Sequence, residues 1–178
     1  MANQKVELYI AAPATYDDVV TQFINYLSAS PCDHANLMTL FGSNPQVGIT
    51  SDGPIYIGTQ QVAGLFTAIA KTFPRFGFDQ TSRYVSILEP VATSKTTAIV
   101  VAGRLKASHT GHPWNPGFDS SPLNNRPITN KSFRSLAACC IFTFPVPSSN
   151  PPQGSDLLIA SLAIYFDRYQ MLNQLGIV

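Results

Sequence analysis

The chain has 178 residues, of which 45% are hydrophobic and 12% charged, and its 11 Lys+Arg against 10 Asp+Glu leave a formal net charge of +1. That length suits a single domain over residues 1–178 with a sizeable core. The near-neutral balance argues against nucleic acid or an anionic membrane as partner, since both reward clustered basic residues.

The first strongly periodic segment runs from Thr15 to Ser30, where Val20, Phe23, Ile24 and Leu27 recur at i, i+3, i+4 and i+7 on one helical face. Thr15 with Asp18 resembles a capping box with Asp in place of Glu. Pro31 stops this helix, and Asp33 is placed to cap a short second one through Ala35 to Leu40, which Gly42 and Asn44-Pro45 end. Val47 to Thr50 and Ile55 to Ile57, flanking Ser51-Asp52-Gly53-Pro54, read as a small hairpin. Thr59 then caps a third helix with Val62, Leu65, Phe66, Ile69 and Phe73 on one stripe, ended by Pro74.

Beyond Pro74 the apolar period changes from 3.6 to 2, and strands are predicted over Phe76 to Leu88, Thr96 to His109, Ser132 to Phe144 and Leu157 to Asp167. Strands this long in an antiparallel meander bend or bulge around whatever covers their concave side. The expected fold class is therefore α+β, with three N-terminal helices packed across a curved antiparallel sheet. The Pro-rich loop 111–131 has the length of a lid or binding loop, whereas 145–155 (PVPSSNPPQGS) reads as a surface connection.

The three cysteines, Cys32, Cys139 and Cys140, form no disulfide framework and fit a reducing compartment. The N-terminus has no basic segment followed by an apolar run, and no run approaches membrane-spanning length, so a cytoplasmic address without membrane contact is expected. Few charges also leave apolar surface that a second copy would cover, so a homodimer is expected.

Several segments resemble the SnoaL-like polyketide cyclases of the nuclear-transport-factor-2-like, or ketosteroid isomerase-like, superfamily. They are His109-Thr110-Gly111, Arg126-Pro127-Ile128-Thr129-Asn130-Lys131, and Tyr165-Phe166-Asp167-Arg168 followed by Leu172-Asn173-Gln174-Leu175-Gly176. The stretch between Gly111 and Pro127 is longer than the family's connection, and 145–155 is an insertion. The resemblance implies a cone-shaped α+β barrel holding a hydrophobic, oxygenated small molecule such as a polyketide or terpenoid. It also implies cofactor-free acid/base chemistry, a cyclisation or isomerisation, with Asp167 as the acid/base carboxyl. An apolar cavity disfavours the ionised form of a carboxyl and so brings proton exchange toward neutrality. The alternative for Asp167 is the N-cap of a C-terminal helix beginning at Arg168.

Alternation from Ile99 through Leu105 and Ala107 puts His109 on an apolar face, where an imidazole either relays a proton or bonds a backbone carbonyl. Phe23, Tyr26, Phe66, Tyr84, Trp114 and His112 are the candidates for shaping a substrate pocket, and Tyr26 could also donate to an oxyanion. His109, His112 and Asp119 lack the spacing of a metal site, so no metal or cofactor is expected. An epoxide hydrolase would need a second carboxylate and an Arg. Asp79 is the strand Asp available for it, and Arg83, Arg104 and Arg134 are not grouped with Asp167 by strand parity. A non-catalytic binding or assembly module of the same fold is the remaining alternative.

Overall fold

The computed structural model describes residues 15–30, 32–49, 53–78, 84–87, 97–108 and 131–176. Helix α1 spans Tyr16–Ser28 and opens on the anticipated capping box: Asp18 N donates to Thr15 Oγ1 at 3.1 Å and Thr15 N to Asp18 Oδ2 at 3.0 Å. Two otherwise orphaned amides are thereby satisfied, and Asp17 and Asp18 lie at the positive end of the helix dipole. The apolar stripe buries Val19, Val20, Phe23, Ile24 and Leu27. Helix α2, His34–Met38, is capped by Asp33, whose Oδ1 accepts from Asn36 N at 3.2 Å.

Strands β1 (Phe41–Ile49) and β2 (Ile55–Ile57) form the hairpin, but β1 begins well before Val47. Gly42 and Asn44-Pro45 do not break the chain. Its register against the last strand shifts between Phe41 and Gln46, an irregularity that tolerates a proline within a strand. Helix α3 is Gly58–Thr72, and Thr59 is not its cap. Gly58, at φ 81, turns the chain where a side chain would be strained. Ile57 is the N-cap and donates its N–H to Gln61 Oε1 at 2.9 Å, while Thr59 Oγ1 donates back to Ser43 O at 3.2 Å.

The remaining strands are β3 (Gly77–Phe78), β4 (Tyr84–Ile87), β5 (Thr97–Ser108), β6 (Ser132–Phe144) and β7 (Ile159–Phe166), and α4 closes the described chain at Arg168–Gln174. The predicted strand 76–88 is thus represented by two pieces, both antiparallel to β5. The sheet runs β2-β1-β7-β6-β5-β3, with β4 also on β5. It is not wholly antiparallel, because β1 and β7 pair in parallel. More than a hundred residues separate these two strands, enough for any return path, and a parallel pair needs a long crossover rather than a tight turn. The fold is mixed α+β, with a curled sheet and, among the described residues, four α-helices. No helix among the described residues is long and apolar enough to cross a membrane.

Helix α1 lies against β3 and β5, α3 against β1 and β2, and α4 against β6. Alternate residues of the long strands complete the core beneath them: Ile99, Val101, Leu105 and Ala107 of β5, Leu136 to Phe144 at even positions of β6, and Leu162 and Ile164 of β7. Cys140 is fully buried while its neighbour Cys139 is half-exposed, as alternation requires. Burial raises the Cys140 thiol far above its ordinary range and pushes Cys32 up to about 12, so both are small core residues rather than nucleophiles.

The 145–155 connection is organised around one acid. A short 3-10 turn at Gly154–Leu157 buries Asp156, whose carboxylate accepts from Ser148 Oγ at 2.9 Å and Ser149 Oγ at 3.1 Å. The Ser148 backbone N–H is the largest cause holding this carboxyl below the usual range; burial opposes it, and the Ser148 hydroxyl, Gln153 N–H and Ser149 hydroxyl add to it. A depressed folded pKa contributes stability that is present above the unfolded value, about 3.9, and is lost as pH falls through the folded value. Urea midpoints should therefore decline below about pH 4, and Asp156→Asn should flatten that decline while lowering the midpoint at pH 7. An unchanged acid limb in the variant would assign the loss to other carboxylates.

Candidate functional site

Asp167 follows the last residue of β7, and its Oδ1 accepts the Gln170 backbone N–H at 2.8 Å. It is the N-cap of α4, exposed to solvent, and Met171 N donates to its carbonyl at 3.1 Å. The capping geometry foreseen as the alternative is thus present. Strand parity adds a second observation: Leu162 and Ile164 are each 1% exposed beneath the helices, whereas Tyr165, on the other face, is 41% exposed.

The ladder also locates Asp167 relative to β5. Phe166 pairs with Ala138, and Ala137 pairs with Arg104, so β7 ends at about the level of Arg104, two strands away. Ser108, the last described residue of β5, lies four residues farther, about 13 Å along the strand. His109 itself, with His112, Trp114, Asp119, Asp79 and Arg83, falls outside the described residues. Tyr84 is on β4 opposite Ala102, and its side chain also lies outside the described residues.

Phe23 and Phe66 are fully buried and belong to an aromatic cluster. Phe23 meets Phe66 at 5.9 Å, Phe41 at 6.1 Å and Phe142 at 5.1 Å between ring centroids, each edge to face. Tyr26 is half-buried against the same core, and its carbonyl accepts Asp33 N at 3.0 Å, tying α1 to α2. The described structure therefore brings Phe23 and Phe66 together, sets Tyr26 at the margin of their core, and leaves Asp167 apart at the end of β7.

A pocket of about 370 Å³ was not anticipated from the sequence. It is lined by Arg75, Lys106, Ala107, Ser108, Ser132, Arg134 and Ser135. It lies where β5 and β6 end, beside a bulge: Leu105 pairs with Leu136 and Ala107 with Phe133, so Lys106 faces both Arg134 and Ser135. Ser135 has φ 55, in the left-handed region that side chains disfavour. Arg104 Nη1 donates to Ser135 O at 3.0 Å, and Arg134 N donates to Gln174 Oε1 of α4 at 2.8 Å. A signal for the bulge was present in the sequence, since Arg134 shares even parity with Leu136, Ala138, Cys140 and Phe142, all of which are buried.

Neither a family model nor a curated protein matches the chain. Solved structures do. A structure named for a SnoaL-like polyketide cyclase from Shewanella denitrificans OS-217 superposes with a TM-score of 0.64 at 12% identity, covering 90% of this chain and 96% of that one. One named for a polyketide cyclase from Pseudomonas putida KT2440 gives 0.63 at 13% identity over 91% and 98%. A Catenulispora acidiphila protein described as having a ketosteroid isomerase-like fold gives 0.50 at 15% identity over 90% and 93%. These similarities are of fold: the chain has the ketosteroid isomerase-like architecture, over which the structures named for SnoaL-like polyketide cyclases also superpose.

Proposed function

We propose that the protein is a cofactor-free acid/base enzyme, a cyclase or isomerase, acting on a hydrophobic oxygenated small molecule, with Asp167 as its proton-transfer group. The observation that carries this reading is the position of Asp167. A carboxylate stands directly after the last strand of a fold whose similar structures are named for polyketide cyclases, and the Gln170 N–H fixes one of its oxygens while it caps α4. A cap of this kind fixes the orientation of the carboxyl at the end of the strand. A substrate enolised beside it would lose a proton to the carboxylate and regain one at a different carbon, with no change of oxidation state.

A second reading, a binding module without catalysis, is favoured by the exposure of Asp167 and by the full burial of Phe23 and Phe66, which are packed into core. One pair of substitutions separates the two. Asn caps helices about as well as Asp, so Asp167→Asn should keep the fold near wild-type stability while removing the carboxyl. Asp167→Ala should lose the cap as well, at about 1 kcal/mol in urea denaturation. Against a substrate found by screening polyketide-like and terpenoid compounds, Asp167→Asn should lower kcat by about 10²–10⁴-fold. Undiminished turnover by a folded Asp167→Asn variant would refute the assignment of Asp167, and saturable ligand binding without turnover in the wild type would favour the binding module.

A further inference from the structure

We propose that the protein carries a second ligand site, for a small oxyanion such as a carboxylate or phosphate ester, in the pocket of Arg75, Lys106, Ser108, Ser132 and Arg134, where β5 ends and β6 begins. The proposal does not depend on the role of Asp167.

The placement follows from alternation. Leu105 and Ala107 of β5 are buried under the helices, so Lys106 and Ser108 point the other way, and Ser108 pairs with Ser132 across the ladder. Arg134 would break this arrangement in a regular strand, because its parity matches the buried Leu136 and Ala138. The bulge changes that parity. By setting two residues of β6 against Lys106 alone, it carries Arg134 out of the core side, and Arg134 is exposed. Left-handed Ser135 is the residue that makes the extra step, and the Arg104 guanidinium holds its carbonyl. A backbone held in a disfavoured conformation by a specific side-chain donor beside a pocket is the pattern expected where placement of neighbouring groups matters.

Charge then selects the ligand. Arg75, Lys106 and Arg134 all line the pocket, and none of the described residues that line it is acidic. Three like charges around one concavity repel one another unless an anion enters, and guanidinium forks match carboxylate and phosphate geometry. Ser108 and Ser132 add hydroxyls that can donate to the same oxygens. A volume of about 370 Å³ is in the small-molecule range. The cations are exposed at the rim, so the pocket can exchange its occupant with solvent.

The test is a titration of the full ¹⁵N-labelled chain with sodium phosphate and, separately, sodium succinate, each against sodium chloride at equal ionic strength. Saturable shifts of the Ser108, Ser132 and Arg134 amide resonances are expected with one oxyanion or both. Phosphate alone would indicate a phosphate ester, succinate alone a carboxylate, and both an unselective oxyanion site. Arg134→Gln and Lys106→Gln should each weaken binding about tenfold, as loss of one charge-assisted contact does, with circular dichroism confirming the fold. Arg75→Gln, at a residue outside the β5–β6 ladder, should weaken binding to a similar extent. Asp167→Asn should leave the titration unchanged, which keeps the outcome separate from the catalytic proposal. Shifts no larger than those caused by chloride, or folded Arg134→Gln and Lys106→Gln variants that bind as tightly as wild type, would overturn the inference.

Discussion

Phe23→Ala should destabilise the protein by about 3–5 kcal/mol, which is the cost of emptying a fully buried phenylalanine site. The side chain has no solvent exposure and contacts three other phenylalanine rings, with centroids 5.1 to 6.1 Å away. Those rings come from three elements, Phe41 on β1, Phe66 on α3 and Phe142 on β6, so Phe23 joins α1 to both the third helix and the sheet. None of the three can collapse into the space without dragging its own element, so most of the cavity would persist. Against the total of about 5–15 kcal/mol typical of a domain, a loss of this size removes a large share of the stability. Urea denaturation followed by circular dichroism gives the value directly. The same measurement decides between core and pocket for Phe23: if its ring lined an open cavity, truncation would only enlarge that cavity and cost less than about 1 kcal/mol.

Gly77→Ala is expected to cost about 2–3 kcal/mol or more by overpacking. A Cβ at Gly77 would come within 2.8 Å of Ser28 Cα and would also meet Ser28 Oγ. Backbone is involved on both sides, the end of α1 on one and β3 on the other, so no rotamer change relieves the clash. Gly77 is paired with Lys106 of β5, so displacing it disturbs the ladder beside the basic pocket as well. Ser28→Ala offers the complementary measurement. Ser28 Oγ is buried with no hydrogen-bond partner among the described residues, so its removal should be neutral or slightly stabilising. In the double variant, Ser28→Ala should recover only part of the Gly77→Ala loss, because Cα and Cβ of residue 28 remain. Full recovery would mean that the hydroxyl alone was the obstacle. An Ala at position 77 tolerated without loss would show that α1 can withdraw from β3 freely.

Much of the local structure follows from short-range rules. The caps at Thr15 and Asp33, the buried stripes of α1 and α3, the boundaries of β6 and the opposite faces of Cys139 and Cys140 depend on spacing within one element, and spacing is written in the chain. The cap of α3 was missed because Thr59 and Gly58 compete for the same turn, and a positive φ favours glycine. The parallel pairing of β1 with β7 had no local signature, since partners so distant in the chain leave no mark on either strand. The organisation of the 145–155 connection by Asp156 was equally hidden, because a composition of Pro, Ser and Gly does not reveal which carboxylate its hydroxyls will find.

The sequence by itself placed Asp167 where a strand gives way to a helix beginning at Arg168, and set an arginine among the even apolar positions of β6. Both statements concern neighbours along the chain. Only the tertiary structure decided that the Asp167 carboxylate meets the Gln170 N–H, and that a bulge carries Arg134 to the same pocket as Arg75 and Lys106. The physical reason is common to both. Where a polar side chain ends up is fixed by the register of strands far apart in sequence and by the local geometry where a strand stops, and neither is set by the residue's own preferences.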